Sequence, residues 1–348
     1  MESGVCGRSL SISFPSDLNL NVAGPWNLNP CLNPSCLCSG VAAAIRGMKR
    51  KRGRKRHVAA AQIKELGDLF RKGVPKILTH VLLAMSMSPL ITLSLDRDLD
   101  AAELFAGSAT WSEAMEKAGF RVASYDVEMA DAMNILTAVG FGCALLLLTR
   151  IRQGGICMMA PVCSSWTFMA RSTSGRSIGD PLGKTERQFV YEGNMMVSRC
   201  CLLILFLHAR GVCWALEQPA STLLHLHPRF QALLRRRDIA VYRVYFHMGA
   251  LGGSSEKPTY LFTSADWLSR FQSYKVKKKA EKQTLAKHYV DAFGKKRSSG
   301  TSELKASAAY PRGFGEMFAK LVEAIGFVSF PRSCVARLGA IGAVCCMA

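Results

Sequence analysis

The sequence predicts an α/β protein with a mostly parallel sheet, one antiparallel strand and helices on both faces. Between residues 99 and 265, short apolar runs of strand length alternate with longer runs of helix length, which is the order typical of a parallel sheet. Two apolar runs at the end of this region are joined by a Gly-rich loop, which indicates one antiparallel strand. A hydrophobic content of 49% over 348 residues provides a core and excludes wholesale disorder.

The individual elements follow from run length and apolar pattern. In the arm before the body, Ile63, Leu66, Leu69 and Phe70 have helical spacing, so we expect a packing helix there. The body opens with a short buried strand, and each later strand is an apolar run of four to seven residues. Strands are predicted at residues 101–105, 121–125, 155–160, 212–216, 241–247 and 260–263, and helices at residues 110–118, 138–152, 185–209 and 223–237.

The formal charge of +20 is concentrated in two tracts. Residues 49–56 carry seven basic side chains, and residues 275–297 carry nine against two acidic ones. The intervening residues 57–274 carry 22 basic and 18 acidic side chains, so the body is close to neutral. Two cationic tracts on a near-neutral body indicate nucleic acid as a partner. We interpret the first tract as a nuclear-import or phosphate-binding segment, which predicts a nuclear location and the nuclear import machinery as a partner.

Cysteine usage and hydropathy argue against secretion, zinc binding and membrane insertion. The thirteen cysteines form no even framework and no CxxC pair, which predicts a reducing compartment and no metal site. Residues 77–95 carry no formal charge, but His80, Pro89 and five Ser or Thr side chains dilute this run. We therefore expect a buried helix and lead-in strand rather than a membrane span, and no stable membrane association. No secretory signal is recognised at the N-terminus.

Composition divides the chain into five segments. Residues 1–57 are predicted to be a disordered N-terminal segment that ends in the first basic tract, because they lack apolar periodicity. The others are a helical arm at 58–98, the α/β body at 99–265, a basic linker at 266–300, and a C-terminal helix and tail at 301–348.

The first two strand ends predict a nucleoside cofactor. The first strand ends in Glu103–Ala109, with Gly107 at the strand-to-helix turn, and the second ends in Asp126 and Glu128. Glycine lets the backbone approach a ligand closely, and an acid at the second strand accepts hydrogen bonds from ribose hydroxyls. Ala109 stands where a second glycine of a dinucleotide fingerprint would be. This pattern argues against a pyrophosphate and favours a cofactor without one, such as S-adenosylmethionine.

Two further strand ends carry reactive side chains. Cys163 follows Pro161 and precedes a loop rich in Ser, Gly and Arg, which is the position of a nucleophile. A free thiol is only a few per cent thiolate at pH 7, so it needs a positive neighbour, and Arg171 and Arg176 are the expected ones. Glu217 is expected to act as a general acid or as a hydrogen-bond partner of a bound base. The alternatives are a small buried hydrophobe for the cysteine and a helix N-terminal acid for the glutamate.

Together these strand ends resemble the carbon-5 cytosine DNA methyltransferases. The family's Asp-Leu-Phe-x-Gly-x-Gly is similar to Glu103–Ala109, its Pro-Pro-Cys-Gln to Pro161–Ser164, and its Glu-Asn-Val to Glu217–Pro219. Its third motif is similar to Asn134-Ile135, and a Lys-Pro-Thr variant of its eighth motif is similar to Lys257–Leu261. Order and spacing agree across residues 99–265.

The resemblance implies a Rossmann-like methyltransferase fold and an activity. A methyl group would pass from S-adenosylmethionine to carbon 5 of cytosine in nucleic acid, with DNA favoured over RNA. Cys163 would add to carbon 6 of an extruded cytosine, and Glu217 would hold or protonate N3. The implied cofactor contacts are Phe105, Gly107, Asp126, Glu128, Asn134 and Pro161, and the implied substrate contacts are Ser164, Arg171, Arg176 and Lys257.

The sequence also departs from the family pattern. Ala109 replaces a glycine, Val162 replaces the second proline and Ser164 replaces the glutamine after the nucleophile. No long target-recognition domain follows the Lys-Pro-Thr strand, and the segment from Tyr310 leads into a helix that is similar in position to the family's last motif. These departures define an alternative, a catalytically inactive relative that binds nucleic acid or chromatin through its basic tracts.

Overall fold

The computed structural model describes residues 64–87, 97–276, 286–294, 296–300 and 309–325. The predicted N-terminal segment 1–57, with its basic tract, lies outside the described residues. So do residues 88–96 of the uncharged run and most of the C-terminal tail.

Six strands form one mostly parallel sheet in the order β2-β1-β3-β4-β6-β5. Strand β6 runs antiparallel to both of its neighbours, and every other pairing in this sheet is parallel. The predicted mostly parallel sheet with one antiparallel strand is therefore confirmed. The strands are β1 (Leu99–Leu104), β2 (Val122–Tyr125), β3 (Ile151–Met159), β4 (Cys213–Pro219), β5 (Tyr242–His247) and β6 (Pro258–Thr263).

Helices cover both faces of the sheet. The described helices are α1 (64–71), α2 (Lys76–Met87), α3 (Thr110–Lys117), α4 (Ala138–Thr149), α5 (Arg171–Ser174), α6 (Gln188–Ala209), α7 (Pro228–Leu234) and α8 (Arg312–Ala324). Short 3-10 turns lie at Asp131–Met133, Phe168–Ala170, Leu224–Leu226, Met248–Leu251 and Asp266–Ser273.

Successive residues of the central strands enter two different hydrophobic cores, because side chains alternate across a sheet. In β4, Trp214 and Leu216 pack with α2, α4 and α6, whereas Cys213 and Ala215 pack with α3 and α8. Strand β1 is buried along its whole length, as expected for a strand covered on both faces. This double burial explains why the strands read as nearly continuous apolar runs.

The arm before the body contributes to the first core. Leu66 of α1 and Leu78 and Leu82 of α2 are buried in the same cluster as the central strands. Arg210, at the end of α6, is also buried and pairs with Glu65 at 2.5 Å. The described part of residues 58–98 is thus packed against the sheet.

The second core depends on a close approach between α8 and α3. Gly315 lies so near α3 that a Cβ atom there would be 2.7 Å from the Cβ of Ala114. Phe314 and Phe318 on the same helix pack on Phe271, and Phe318 meets Trp111 edge to face with ring centroids 5.2 Å apart. The C-terminal helix is therefore built into the body, next to the start of α3.

Several predicted boundaries differ from the structure for local reasons. The helix predicted at 223–237 is divided into a 3-10 turn and α7, because Pro228 lacks a backbone donor and starts a helix at its first position. The helix predicted at 138–152 ends at Thr149, and β3 begins directly at Ile151. The region predicted as a basic linker contains an additional antiparallel pair, β7 (Ala286–Val290) and β8 (Lys296–Gly300).

Helix α6 is, among the described residues, long and apolar enough to cross a membrane by length and composition. An 18-residue window of this helix has a mean hydropathy of 1.4, but 72% of that window is buried inside the protein. Core helices of globular proteins have the same composition, so this helix is weak evidence for a membrane span.

Candidate active site at the carboxyl ends of the strands

The strand register brings four strand ends to one level of the sheet. Leu104 of β1 pairs with both Tyr125 of β2 and Met159 of β3, and Met159 pairs with Leu216 of β4. The residues that follow these four positions therefore emerge side by side. The strand order also reverses between β1 and β3, which is where open α/β sheets form their ligand crevices.

The loop after β1 has an unusual backbone. Phe105, Gly107 and Ala109 all adopt positive φ angles, of 64°, 50° and 54°. Only glycine takes this conformation readily, and an alanine there is strained by about 1–2 kcal/mol. Ala109, which departs from the family pattern, thus keeps the backbone conformation that a glycine would adopt without strain. A Cβ atom at Gly107 would meet nothing within 4 Å, so space is open next to this loop.

Asp126 ties this loop to the end of β2. Its Oδ2 accepts a hydrogen bond from the Gly107 backbone N–H at 2.9 Å, and its Oδ1 accepts one from the Glu128 N–H at 2.8 Å. A carboxylate oxygen has two lone pairs, so each oxygen retains acceptor capacity for a ligand hydroxyl. Glu128 is exposed, whereas Asp126 is partly buried against the loop. The structure thus brings two of the predicted cofactor residues, Gly107 and Asp126, into direct contact.

Glu103 lies beneath the loop and is fully buried. Its Oε2 accepts hydrogen bonds from the backbone N–H and the hydroxyl of Ser112, at 3.0 and 2.6 Å. Its Oε1 has no hydrogen-bond partner among the described residues. Burial raises the pKa of this carboxyl to about 7, against the opposing effect of the Ser112 hydrogen bonds. Glu103 therefore fixes the first turn of α3 and keeps one oxygen unpaired.

Asn134 organises the approach to α4. Its Oδ1 accepts from the Leu136 N–H at 2.9 Å, and its carbonyl accepts from the Thr137 hydroxyl at 2.9 Å. Thr137 in turn caps α4 by accepting from the Gly140 N–H. A Cβ atom at Gly140 would lie 1.9 Å from the Asn134 carbonyl oxygen, so only glycine fits there.

The backbone around Cys163 is held on both sides. Gln218 on β4 donates to the carbonyl of Pro161, two residues before the cysteine, at 2.7 Å. The Cys163 carbonyl accepts from the Trp166 and Thr167 N–H groups at 2.8 and 3.2 Å, which closes a turn immediately after it. The half-buried thiol is thus presented on a rigid loop at the end of β3.

Cys163, Glu217 and Lys257 form an electrostatic cluster. Lys257 Nζ lies 3.7 Å from Glu217 Oε1, an ion pair that is longer than a hydrogen bond. That buried oxygen has no hydrogen-bond partner among the described residues. Burial raises the pKa of the Cys163 thiol, the Glu217 carboxylate raises it further, and the Lys257 ammonium lowers it. Burial also raises the pKa of Glu217, again opposed by Lys257.

Lys257 is itself held in a strained conformation. Its φ angle is 32°, in the left-handed region that non-glycine residues rarely adopt. The Thr259 hydroxyl donates to its carbonyl at 2.8 Å, and the Met248 N–H donates to the same carbonyl at 3.2 Å. Such strain persists where the surroundings impose it and is frequent at functional sites.

Tyr310 completes the cluster from the far end of the chain. Its buried hydroxyl has no hydrogen-bond partner among the described residues, and the ring centroid lies 5.9 Å from Lys257 Nζ. Burial raises the pKa of this hydroxyl well above its usual range, and the negative charges of Glu217, Glu103 and Cys163 act in the same direction. A groove of about 180 Å³ is lined by both residues and by the loop 252–255. The groove therefore reaches the cluster on the side of Lys257 and Tyr310.

Arg176 is buried and holds the loop after Cys163 in place. Its guanidinium lies over the Trp166 ring with 3.3 Å to the ring centroid. Its N–H groups donate to the Ser165 hydroxyl, to the Asn194 side chain and to the backbone carbonyls of Ser165, Pro181, Leu182 and Val190. Gly193 on α6 permits this approach, because a Cβ atom there would lie 2.5 Å from the Ser165 hydroxyl. No donor is left for a substrate phosphate. The expected positive neighbour of the thiol is therefore Lys257 rather than Arg176.

The remaining predicted substrate residues are exposed. Ser164 and Arg171 lie on the surface of the loop, and Arg171 stacks on Phe168 with 5.2 Å between the guanidinium carbon and the ring centroid. Phe168 is 65% exposed. These positions are compatible with substrate contact, which stays a prediction.

Three residues at this edge of the sheet, Glu103, Gln218 and Tyr310, were not predicted as site residues. Glu103 had a readable signal, because an acid inside an apolar strand is rarely a packing residue. The only sequence signal for Gln218 was its position next to Glu217. Nothing in the sequence indicated that Tyr310 lies near the site, because the second basic tract separates it from the other residues.

Fold and site together define an α/β protein with a charged cluster at the carboxyl ends of β3 and β4, next to the switch point between β1 and β3. No protein-family model matches the chain, and no curated protein is significantly similar to it.

A Glu217→Gln variant is expected to shift alkylation of Cys163 to lower pH. Removing the carboxylate removes a negative charge that raises the thiol pKa and leaves the Lys257 ammonium unopposed. Below the pKa, the rate is expected to rise about 3- to 4-fold for each unit of pKa lost, since lower basicity partly offsets the larger thiolate fraction. Iodoacetamide labelling at several pH values, followed by peptide mass spectrometry at Cys163, measures the shift. Glu116→Gln, an exposed change on α3, is the control, and equal profiles for all three proteins would contradict the cluster.

Proposed function

We propose that the protein is an S-adenosylmethionine-dependent methyltransferase that acts on carbon 5 of cytosine in nucleic acid, with DNA favoured over RNA. The observation that carries the proposal is the cluster of Cys163, Glu217 and Lys257 at neighbouring strand ends. The strand order, with β6 antiparallel beside β4, supports a Rossmann-like methyltransferase fold.

The residues present fit S-adenosylmethionine. The open backbone at Gly107 leaves room for a nucleoside, Asp126 retains acceptor capacity for ribose hydroxyls, and Glu103 has an unpaired buried oxygen beneath the same loop. The family resemblance adds Phe105, Asn134 and Pro161 as further cofactor contacts. The cofactor, when bound, supplies an electrophilic methyl group.

The side chains account for activation of the base. The Cys163 thiolate would form a bond to carbon 6 of an extruded cytosine, and the electron pair displaced toward the ring would be stabilised at N3 by the Glu217 carboxyl. The raised pKa of Glu217 makes this carboxylate easier to protonate when a base binds, and the protonated carboxyl is the form that would donate a hydrogen bond to N3. Carbon 5 would then take the methyl group, which would leave the cofactor's sulfonium sulfur as a neutral thioether. Water would accept the carbon 5 proton as the carbon 6–sulfur bond breaks and the thiolate is released. Lys257 would stabilise the thiolate by its positive charge, and its ion pair would hold the Glu217 carboxyl in position.

Trapping on 5-fluorocytosine tests the proposal. Fluorine at carbon 5 prevents the final proton loss, so native protein with S-adenosylmethionine is expected to form a stable covalent complex with an oligonucleotide that carries this base. DNA and RNA strands are compared by denaturing gel. Cys163→Ser and omission of the cofactor are both expected to abolish the complex. Absence of a complex and of labelled methyl transfer on either strand would overturn the proposal.

The raised pKa of Cys163 and the strain at Ala109 favour one alternative, a catalytically inactive protein that binds nucleic acid. This alternative predicts salt-dependent, sequence-indifferent binding without methyl transfer, because phosphate contacts release counterions. It also predicts that Cys163→Ser leaves every measurable property unchanged.

A further inference from the structure

The proposed chemistry gives no role to Tyr310, which reaches the cluster from the start of α8. The turn Met248–Leu251 packs against this part of the chain, since a Cβ atom at Gly313 would lie 2.4 Å from the Leu251 carbonyl oxygen. The same turn contacts the backbone of Lys257, whose carbonyl accepts from the Met248 N–H at 3.2 Å. The start of α8 and the lysine thus pack against one turn, which brings Tyr310 next to Lys257.

The contacts of Tyr310 are made by its ring. The ring centroid lies 4.9 Å from that of the fully buried Phe314 ring and 5.9 Å from Lys257 Nζ. The hydroxyl is buried and has no hydrogen-bond partner in the part of the chain that the structure describes. A role that depends on the described contacts of this residue therefore belongs to the ring.

The Lys257 ammonium lies between this ring and the Glu217 carboxylate. It is 3.7 Å from Glu217 Oε1, which is too long for a hydrogen bond, and 18% of the lysine side chain is exposed. A lysine side chain is flexible and its ammonium is strongly hydrated, so an ion pair of this length does not by itself keep the ammonium from turning toward solvent. An aromatic face within about 6 Å attracts an ammonium, more strongly where water is excluded. The ring supplies this second attraction.

The place of the ammonium matters for the Cys163 thiol. Among the described residues, the titratable groups that act on the thiol are the Glu217 carboxylate, the Lys257 ammonium and the Tyr310 hydroxyl. Lys257 is the cation among these groups, and it lowers the thiol pKa. If the ammonium moved into solvent, the thiol would keep its negative neighbour and lose its positive one.

We propose that Tyr310 is a positioning residue, whose ring holds the Lys257 ammonium beside Glu217 and Cys163, so that the start of α8 controls how readily the thiol reacts. The inference deepens the proposed function and rests on it for any effect on methyl transfer. The positioning itself is measured on the thiol, without cofactor or nucleic acid. A failed trap on 5-fluorocytosine would therefore leave the positioning role in place, whereas an unchanged thiol would overturn that role alone.

The test measures the rate at which iodoacetamide alkylates Cys163 in the full chain at several pH values, followed by peptide mass spectrometry. Tyr310→Leu removes the ring but stays apolar, and it is expected to shift the rate profile to higher pH. Below the pKa, the rate is expected to fall about 3- to 4-fold for each unit of pKa gained, since higher basicity partly offsets the smaller thiolate fraction. Tyr310→Phe keeps the ring and is expected to retain the native profile.

A second background separates positioning from simple shielding of the thiol from water. Lys257→Gln removes the ammonium, so adding Tyr310→Leu to this variant is expected to cause no further shift. Phe318→Leu is the matched control, because it removes a buried ring from the same helix whose neighbours include Trp111 and Phe271. This control is expected to leave the alkylation profile native.

Tyr310→Met is expected to repeat the result of Tyr310→Leu, so the test does not depend on a single replacement that folds. Native profiles in both of these variants would show that the ring has no positioning role. A shift in Tyr310→Phe as large as in Tyr310→Leu would assign the effect to the hydroxyl instead. An equal shift by Tyr310→Leu with and without Lys257 would show that the ring acts on the thiol directly. Each of these three outcomes would overturn the proposal.

Discussion

A Glu217→Gln variant is expected to lose methyl transfer by about 10²- to 10⁴-fold, the range attributed to a positioned general acid or base. Glutamine keeps the size of the side chain but has no acidic proton to share with N3 of a bound cytosine. The affected step is activation of the base, so kcat is expected to fall while binding of the oligonucleotide is retained. Labelled methyl transfer from S-adenosylmethionine measures the loss.

The same variant carries its own control. Glu217→Gln is expected to make the Cys163 thiol more reactive toward iodoacetamide, because the neighbouring negative charge has gone. Misfolding would not produce a selective shift of this kind in the pH profile. Glu116→Gln is expected to retain native transfer and native alkylation. Native transfer in the Glu217→Gln variant would rule out the assigned role of this carboxyl.

An Arg176→Met variant is expected to lower the free energy of unfolding by about 3–5 kcal/mol. Methionine fills part of the volume of the arginine stem but removes five donors. The carbonyls of Ser165 and Val190 and the Asn194 side chain would lose their charged partner inside the protein. Each buried acceptor left unpaired costs about 1–3 kcal/mol. Urea unfolding followed by tryptophan fluorescence measures the change, since the guanidinium stacks on Trp166.

Arg171→Met is the matched control for this prediction. Arg171 lies five residues earlier on the same loop, but it is exposed and contacts only the Phe168 ring among the interactions described for it. Its replacement is expected to cost no more than about 1 kcal/mol. Arg176→Lys is expected to resemble Arg176→Met, because an ammonium cannot reproduce the planar arrangement of five donors. Equal stability of native protein and Arg176→Met would contradict the structural role.

The order of strands and helices was predictable because the body is covered on both faces. Strands buried on two sides are nearly continuous apolar runs, and those runs stand out from the polar loops between them. The boundaries were less predictable. The end of α4 and the start of β3 meet within residues 149–151, where no proline, glycine or turn sequence separates the two elements.

The sequence predicted which strand ends carry the candidate site residues, and that these strand ends lie at the same edge of the sheet. Glycine, cysteine and glutamate at the ends of parallel strands must emerge at one edge of the sheet, so Gly107, Cys163 and Glu217 were expected in one region. The electrostatic partner of the thiol was not predictable in this way. Arg176 is near Cys163 in sequence, but its donors turn into the protein, whereas Lys257 reaches the cluster from the antiparallel strand.

The sequence by itself determined the α/β class, the mostly parallel sheet and the strand ends that carry candidate chemistry, because these depend on local pattern and on the direction of each strand. Only the tertiary structure decided that Lys257 and Tyr310 join Glu217 and Cys163, and that Arg176 holds the loop instead. The physical reason is that these electrostatic interactions join residues up to 147 positions apart, from Cys163 to Tyr310. They depend on strand register and on the close approach of α8 to α3, neither of which any local pattern specifies.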